Sequence, residues 1–166
     1  MHTQIAIAPP GTQACTLDIA KFHHTCPVLP SHKPWLVLQG CPGAFFIDHD
    51  HPFGAACTSS NAGMITNAAL DIWEGKGVSP VLKYEDDLNA FCYPSAGGPF
   101  TDGDFHYDYD CTEILTRIEH LGIPWHKEKG NTSFTPIITF IGFLWDIPAW
   151  QVSLPPVKQL KFLDHI

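Results

Sequence analysis

Two β-prone runs, 79–84 (SPVLKY) and 88–93 (LNAFCY), are separated by three residues, Glu85, Asp86 and Asp87. So short a link cannot hold a crossover helix, so the runs must pair as an antiparallel hairpin with the acids on its tight turn or its shoulders. Adjacent aspartates repel, and flanking β-formers bury part of them, which raises their pKa values unless a cation or water completes the site. The plain alternative is an acidic turn, since Asp is a common turn residue.

The remaining pattern builds a sheet around that hairpin. Residues 15–20 (CTLDIA) predict a short strand with Asp18 near its C-terminal end, and 23–34 is a turn-rich connection. WLVLQ and AFFID around Gly40-Cys41-Pro42-Gly43 predict an inserted hairpin. From Thr58 to Trp73, N-capping residues precede helical stripes (Met64, Ala68, Ile72; Ile65, Ala69, Trp73) that stop at Gly75. Residues 94–107 are a loop by composition, and a second helix is expected over 110–120 with Gly122 as its stop. A strand or edge at 123–129, a β-hairpin turning near Ile147-Pro148, and a helix from 157 complete the chain, with no internal repeat. The core order βαββαβ is that of an α+β split βαβ sheet with two helices and added inserted and C-terminal hairpins. In such a sheet the first strand lies beside the central hairpin, which sets Asp18 next to Asp86 and Asp87.

Composition narrows the class. A chain of 166 residues that is 45% apolar suits one domain, and fifteen prolines with thirteen glycines argue against a long-helix bundle. No run is apolar enough to cross a membrane and the N-terminus lacks the features of a signal peptide, so an intracellular, unsecreted chain is expected, with the sequon at Asn131 silent. Six cysteines without a C-x-x-C pair fit reduced thiols. Nine Lys and Arg against seventeen acids, a formal charge of -8, oppose a simple phosphate-neutralising surface.

Three carboxylates at adjacent strand ends suit hard cations, because Mg²⁺ takes oxygen ligands and keeps waters and phosphate oxygens as further partners. Two such ions can serve phosphoryl transfer. Asp48, His49, Asp50 and His51, with His23, His24 and Cys26, offer a rival zinc site, against which stands the lack of closely spaced Cys or His pairs. Cys26 beside histidines is a nucleophile candidate without an oxyanion-hole signal. Trp35, Trp73, Trp125, Trp145 and Trp150 are spread over different elements, which favours packing over a base-stacking platform. Lys158 and Lys161 on the last helix read as a solvated face.

The segments LDIAKFHHTCPVLPSHKPWLV, HPFGAACTSSNA, VLKYEDDLNAF, LGIPWHKEKG, FIGFLWD and VSLPPVKQLKFL resemble, in order, those of reverse transcriptases, most of all of LTR-type and DIRS-like retrotransposons. The most specific part is the aromatic-x-Asp-Asp turn, Tyr84 to Asp87. The resemblance implies a palm domain over 15–166 after an N-terminal extension, 1–14, with fingers and thumb largely missing. It implies RNA-directed DNA polymerisation, a nucleotidyltransferase reaction, with Asp18 and Asp86 holding Mg²⁺ or Mn²⁺ and Asp87 in support. Phe53 and Gly54 match the segment under the template and incoming nucleotide. Tyr84 lies beside them, and Lys129, rather than Lys127, matches the lysine near the triphosphate. The family places an aromatic five residues after the first aspartate to check the nucleotide's sugar; that position is His23, with Phe22 one earlier. Phe140, Gly142 and Phe143 match the hairpin that grips the primer. The partners implied are an RNA or DNA template-primer and dNTP, with no membrane. The competing expectation is a non-catalytic remnant or domesticated scaffold that keeps the palm fold, and little polymerisation is expected of the isolated chain.

Overall fold

The computed structural model describes residues 1–95 and 105–164. Its central sheet has four strands: β1 (Gln13–Asp18), β4 (Val81–Tyr84), β5 (Asp87–Cys92) and β6 (Asn131–Thr135). Their spatial order is β4-β5-β1-β6, every neighbour antiparallel. The chain is thus an α+β fold whose first strand sits between the second strand of the acidic hairpin and the last strand of the sheet, as the split βαβ pattern predicts. Between β1 and β4 come the ribbon β2 (Val37–Cys41) and β3 (Ala44–Ile47) and the long helix α2 (Thr58–Gly75). Short helix α1 (His2–Ala6) precedes the sheet and α3 (Cys111–Arg117) links β5 to β6. A meander of β7 (Ile137–Phe140), β8 (Phe143–Asp146) and β9 (Gln151–Ser153) ends in α4 (Pro156–Leu163).

The two faces of the sheet are filled differently, following the period-two alternation of strands. Cys15 and Leu17 of β1 with Leu88, Ala90 and Cys92 of β5 pack against Ala62, Ala69 and Trp73 of α2 and Ile114 of α3. Ala14 and Phe91 face the other way, onto Ile5, Ala8, Ile138, Phe140 and Ile147. Helix α2 buries Thr58, Ala62, Thr66, Ala69 and Trp73, one stripe of mostly small side chains. Of the predicted stripes Ala69 and Trp73 are inward, whereas Met64 points to solvent. The Trp73 indole N–H donates to the Ile114 carbonyl at 2.7 Å and its ring stacks on Trp125. Asp110 and Glu113 close a capping box that starts α3, and Gly122, in the left-handed region, stops the turn after it.

Four expectations are corrected. The second helix, expected to run to residue 120, ends at Arg117 because Ile118 leaves the helical range, and Gly122 closes a separate short turn at Glu119–Leu121. Strand β1 begins two residues earlier than predicted and ends at Asp18, because the Ile19 and Ala20 N–H groups leave the ladder to bond the Asp86 and Pro124 carbonyls. Segment 123–129 makes an isolated bridge, Ile19 to Trp125, instead of a strand; Pro124 has no N–H to give, and β6 forms later, at Asn131. The C-terminal hairpin is a three-stranded meander. Its turn at 147–150 is the second one; the first, Ile141-Gly142, has positive φ at both residues, and a β-branched Ile in that conformation is no sequence signal. The loop assigned to 94–107 lies largely outside the described residues, with Pro94 bridged to Tyr107 at its ends, as do the last two residues of the helix expected from 157.

Among the described residues no helix is long and apolar enough to cross a membrane. Replacing the fully buried Trp73 leaves a cavity and an unpaired Ile114 carbonyl. Trp73→Ala is expected to lower unfolding free energy by about 3–5 kcal/mol, and Trp125→Ala by less, since Trp125 is half-buried. Urea midpoints of the two variants check this.

Candidate active site

Asp18 closes β1 and Asp87 opens β5, and the two face each other in register. Directly opposed residues share a face of the sheet, so these carboxylates lie side by side. Tyr84 pairs with Asp87 across the hairpin, which leaves Glu85 and Asp86 as a two-residue turn. Glu85 sits at φ 53, a left-handed conformation that costs a non-glycine residue about 1 kcal/mol or more. The Asp86 carbonyl accepts the Ile19 N–H at 3.1 Å and ties the turn to the end of β1. Residues far apart in sequence thereby place three carboxylates at one end of the sheet.

The site is electrostatically loaded. Burial, then the Asp86 and Asp18 charges, push the Asp87 carboxyl above its ordinary value of 3.8, and Lys129 pulls in the opposite direction. The Lys129 ammonium stands 3.5 Å from Asp18 Oδ2, pairing a side chain 60% exposed with one only 10% exposed. Its place is set by the next residue. Gly130 has φ +79, and a Cβ there would collide with the Thr16 carbonyl, so the backbone lies directly on β1. The Asn131 N–H donates to Thr16 Oγ1 at 2.8 Å and the His126 N–H to the Asp18 carbonyl at 2.8 Å, fixing the segment on both sides of Lys129. Beneath the acids, buried Asn89 donates to the Cys15 carbonyl while its Oδ1 has no partner among the described residues.

Other sequence candidates fall into separate groups. His23 meets the Phe53 ring edge-on at 5.1 Å and contacts Ser59 Oγ at 3.2 Å, whereas Phe22, expected at the nucleotide, is packed into the core. Gly54 has φ +89 and open space around it. Beyond β1, Ala20, Lys21, His24 and Asp50 with 121–124 line an open cleft of about 820 Å³. Of the three residues expected at the primer, Phe140 is buried in the second core, Gly142 forms the β7–β8 turn with Lys158 on its carbonyl, and Phe143 is exposed. Sequence reasoning missed Gly130, Thr16 and Ser59. For Gly130 a signal existed in the glycine directly after Lys129; for the other two, none.

The rival sites come apart. His49 is bonded to Lys33, and His51 contacts Thr58 and Asn61. Trp73 and Trp125 are spent in packing. Among the described residues no group of three or more His, Cys, Asp or Glu is arranged as a ready metal cage. The donor chemistry at Asp18, Asp86 and Asp87 nevertheless fits a hard divalent cation, because Mg²⁺ is commonly held by one or two carboxylates and takes its remaining oxygens from water and phosphate.

No protein-family model matches the chain, and no curated protein matches it. Among solved structures it is similar to the foamy viral protease-reverse transcriptase in complex with RNA/DNA hybrid, with TM-score 0.65 and 13% identity over 91% of this chain. The matched region spans 18% of that protein's chain. At this identity the likeness is one of fold alone, and it agrees with the mixed α+β architecture with antiparallel sheets.

The raised Asp87 pKa carries a sign. Below 3.8 the carboxyl is protonated in both folded and unfolded chains. As pH rises from there through the higher folded value, the unfolded chain loses its proton first and stability falls. Asp87→Asn is expected to be more stable than the native protein at pH 7 without divalent ions, and to lose that advantage near pH 3. Melting temperatures of both proteins across that range test it; parallel curves contradict it.

Proposed function

We propose that this chain is the palm of a retrotransposon reverse transcriptase, carried within a longer polyprotein, and that its site performs RNA-directed DNA polymerisation when the rest of the enzyme is present. The observation that carries the reading is the register of Asp18 against Asp87, with Asp86 in the intervening turn. In this reading Asp18 and Asp86 hold Mg²⁺ or Mn²⁺ and Asp87 supports them. When bound, the ions supply the electrostatic stabilisation that phosphoryl transfer requires. The chain's own residues bind and orient. Lys129 faces the phosphates of the dNTP. His23, braced by Phe53 and Ser59, forms the wall at the sugar, with Phe53, Gly54 and Tyr84 along the template side. Phe140, Gly142 and Phe143 shape the hairpin for the primer strand, Phe140 from beneath it.

A second reading, a non-catalytic chain that keeps the fold for binding or scaffolding, is favoured by the formal charge of -8. Polyanion affinity scales with the phosphates that Lys and Arg neutralise, and nine such residues among seventeen acids give little grip.

Two measurements separate these readings. A ligand that binds only the folded state stabilises it by RT ln(1 + [L]/Kd), about 2.7 kcal/mol at a hundred times Kd. Mg²⁺ or Mn²⁺ is therefore expected to raise the melting temperature of the native protein and not of Asp86→Asn; equal shifts in both would place the ions elsewhere. In primer extension on an RNA template at low salt, the isolated chain is expected to extend poorly or not at all. Robust extension that vanishes in Asp86→Asn/Asp87→Asn would make it a minimal polymerase, and a native protein unmoved by either ion would leave the scaffold reading.

A further inference from the structure

Lys129 is in contact with the candidate metal ligand itself. Its ammonium lies 3.5 Å from Asp18 Oδ2, and it is also the cation that acts on Asp87. The pairing is built rather than incidental: Gly130 pressed on the Thr16 carbonyl, Asn131 bonded to Thr16, and His126 bonded to the Asp18 carbonyl all hold the lysine's segment against the end of β1. Asp18 is nearly buried, so a charge there is costly when unpaired. Lys129 keeps most of its side chain in solvent and can swing away on its flexible stem.

From this geometry we infer that Lys129 is a stand-in cation: it neutralises Asp18 until a divalent ion displaces it, and the displaced ammonium is then free for the phosphates of an incoming nucleotide. The inference rests on the two-metal reading of the acidic site and deepens it, making Lys129 a positioning residue that couples ion entry to nucleotide capture.

The consequence is a pair of effects of opposite sign. Without nucleotide, Lys129 competes with the ion, so Lys129→Met should bind Mn²⁺ more tightly than the native protein. A pair with one partner this exposed is worth up to about fivefold in affinity. With Mn²⁺ present, the same variant should bind a non-hydrolysable deoxynucleoside triphosphate several-fold more weakly.

The experiment is Mn²⁺ titration of the full chain followed by electron paramagnetic resonance, with nucleotide binding measured separately by calorimetry. Lys127→Met controls for loss of one positive charge nearby, and Lys129→Arg keeps a cation in place. Tighter Mn²⁺ binding in Lys129→Met, little change in Lys127→Met, native-like behaviour in Lys129→Arg and weaker nucleotide binding in Lys129→Met support the inference. Equal gains in both methionine variants, or no gain in Lys129→Met while Asp86→Asn abolishes Mn²⁺ binding, overturn the stand-in role and leave the metal reading intact. Absence of Mn²⁺ binding in every protein, Lys129→Met included, overturns both.

Discussion

The antiparallel ladder between β1 and β5 is the constraint on which everything else depends. Its register runs without a break from Gln13 opposite Cys92 to Asp18 opposite Asp87. Both strands are buried on two faces, so a slip of one residue would turn Leu17 and Leu88 onto the wrong side and carry Asp18 away from Asp87. The packing of Trp73, Ile114 and Phe91 on the two faces therefore does more than stabilise a sheet. It fixes, to the residue, which carboxylates meet, and the hydrophobic core is the device that concentrates negative charge at one sheet end.

Concentrating charge has a local cost, and the structure shows where it falls. Glu85 takes a left-handed conformation, Asp87 is harder to ionise than a free carboxyl, and Asn89 leaves an acceptor without a partner among the described residues in the interior beneath them. Such departures from local consistency gather at functional sites. Here all three lie on one hairpin. In the two-residue turn itself, Glu85 and Asp86 stand where glycine and asparagine would relieve both backbone and charge.

Much of this hairpin was legible in the sequence because its determinants are local: a three-residue link between two β-prone runs leaves one topology. The order of strands and helices was legible for the same reason, as was the turn that Gly122 closes after α3. What was hidden is set by contacts between distant segments. Residues 123–129 have strand-like composition, yet the Ala20 N–H bond to Pro124 and the close seat of Gly130 on Thr16 hold them as an irregular strap and postpone β6 to Asn131. The Ile141-Gly142 turn was invisible because Ile is the wrong residue for it. At the sheet end, the meeting of Asp18 with Asp87 was legible from the strand order, whereas the burial of Phe22 follows from the turn at 22–25 that points its ring inward, a tertiary outcome with no sequence signature.

The charge of the chain bears on the partner more than on the fold. Several of its few cations are committed within the protein. Lys83 donates to the Gly63 carbonyl and Thr66, Lys76 and Arg117 exchange bonds with each other's carbonyls, Lys33 meets His49, and Lys158 is bonded to Gly142. Cations held in this way fix α2 against β4 and α3, and they are poorly placed to track a phosphate backbone. Lys129 differs, since its internal partner is a carboxylate that a divalent ion can take over. A polyanion approaching an acidic surface meets repulsion at long range, screened within about 10 Å at ordinary ionic strength. In the proposed reading, attraction at this site is short-ranged and is carried by ions that arrive with the nucleotide, together with Lys129. On that reading the acidic surface and the acidic site are compatible with one another: a formal charge of -8 disfavours indiscriminate nucleic-acid binding, and the carboxylates at the sheet end would engage a polyanion only through a cation.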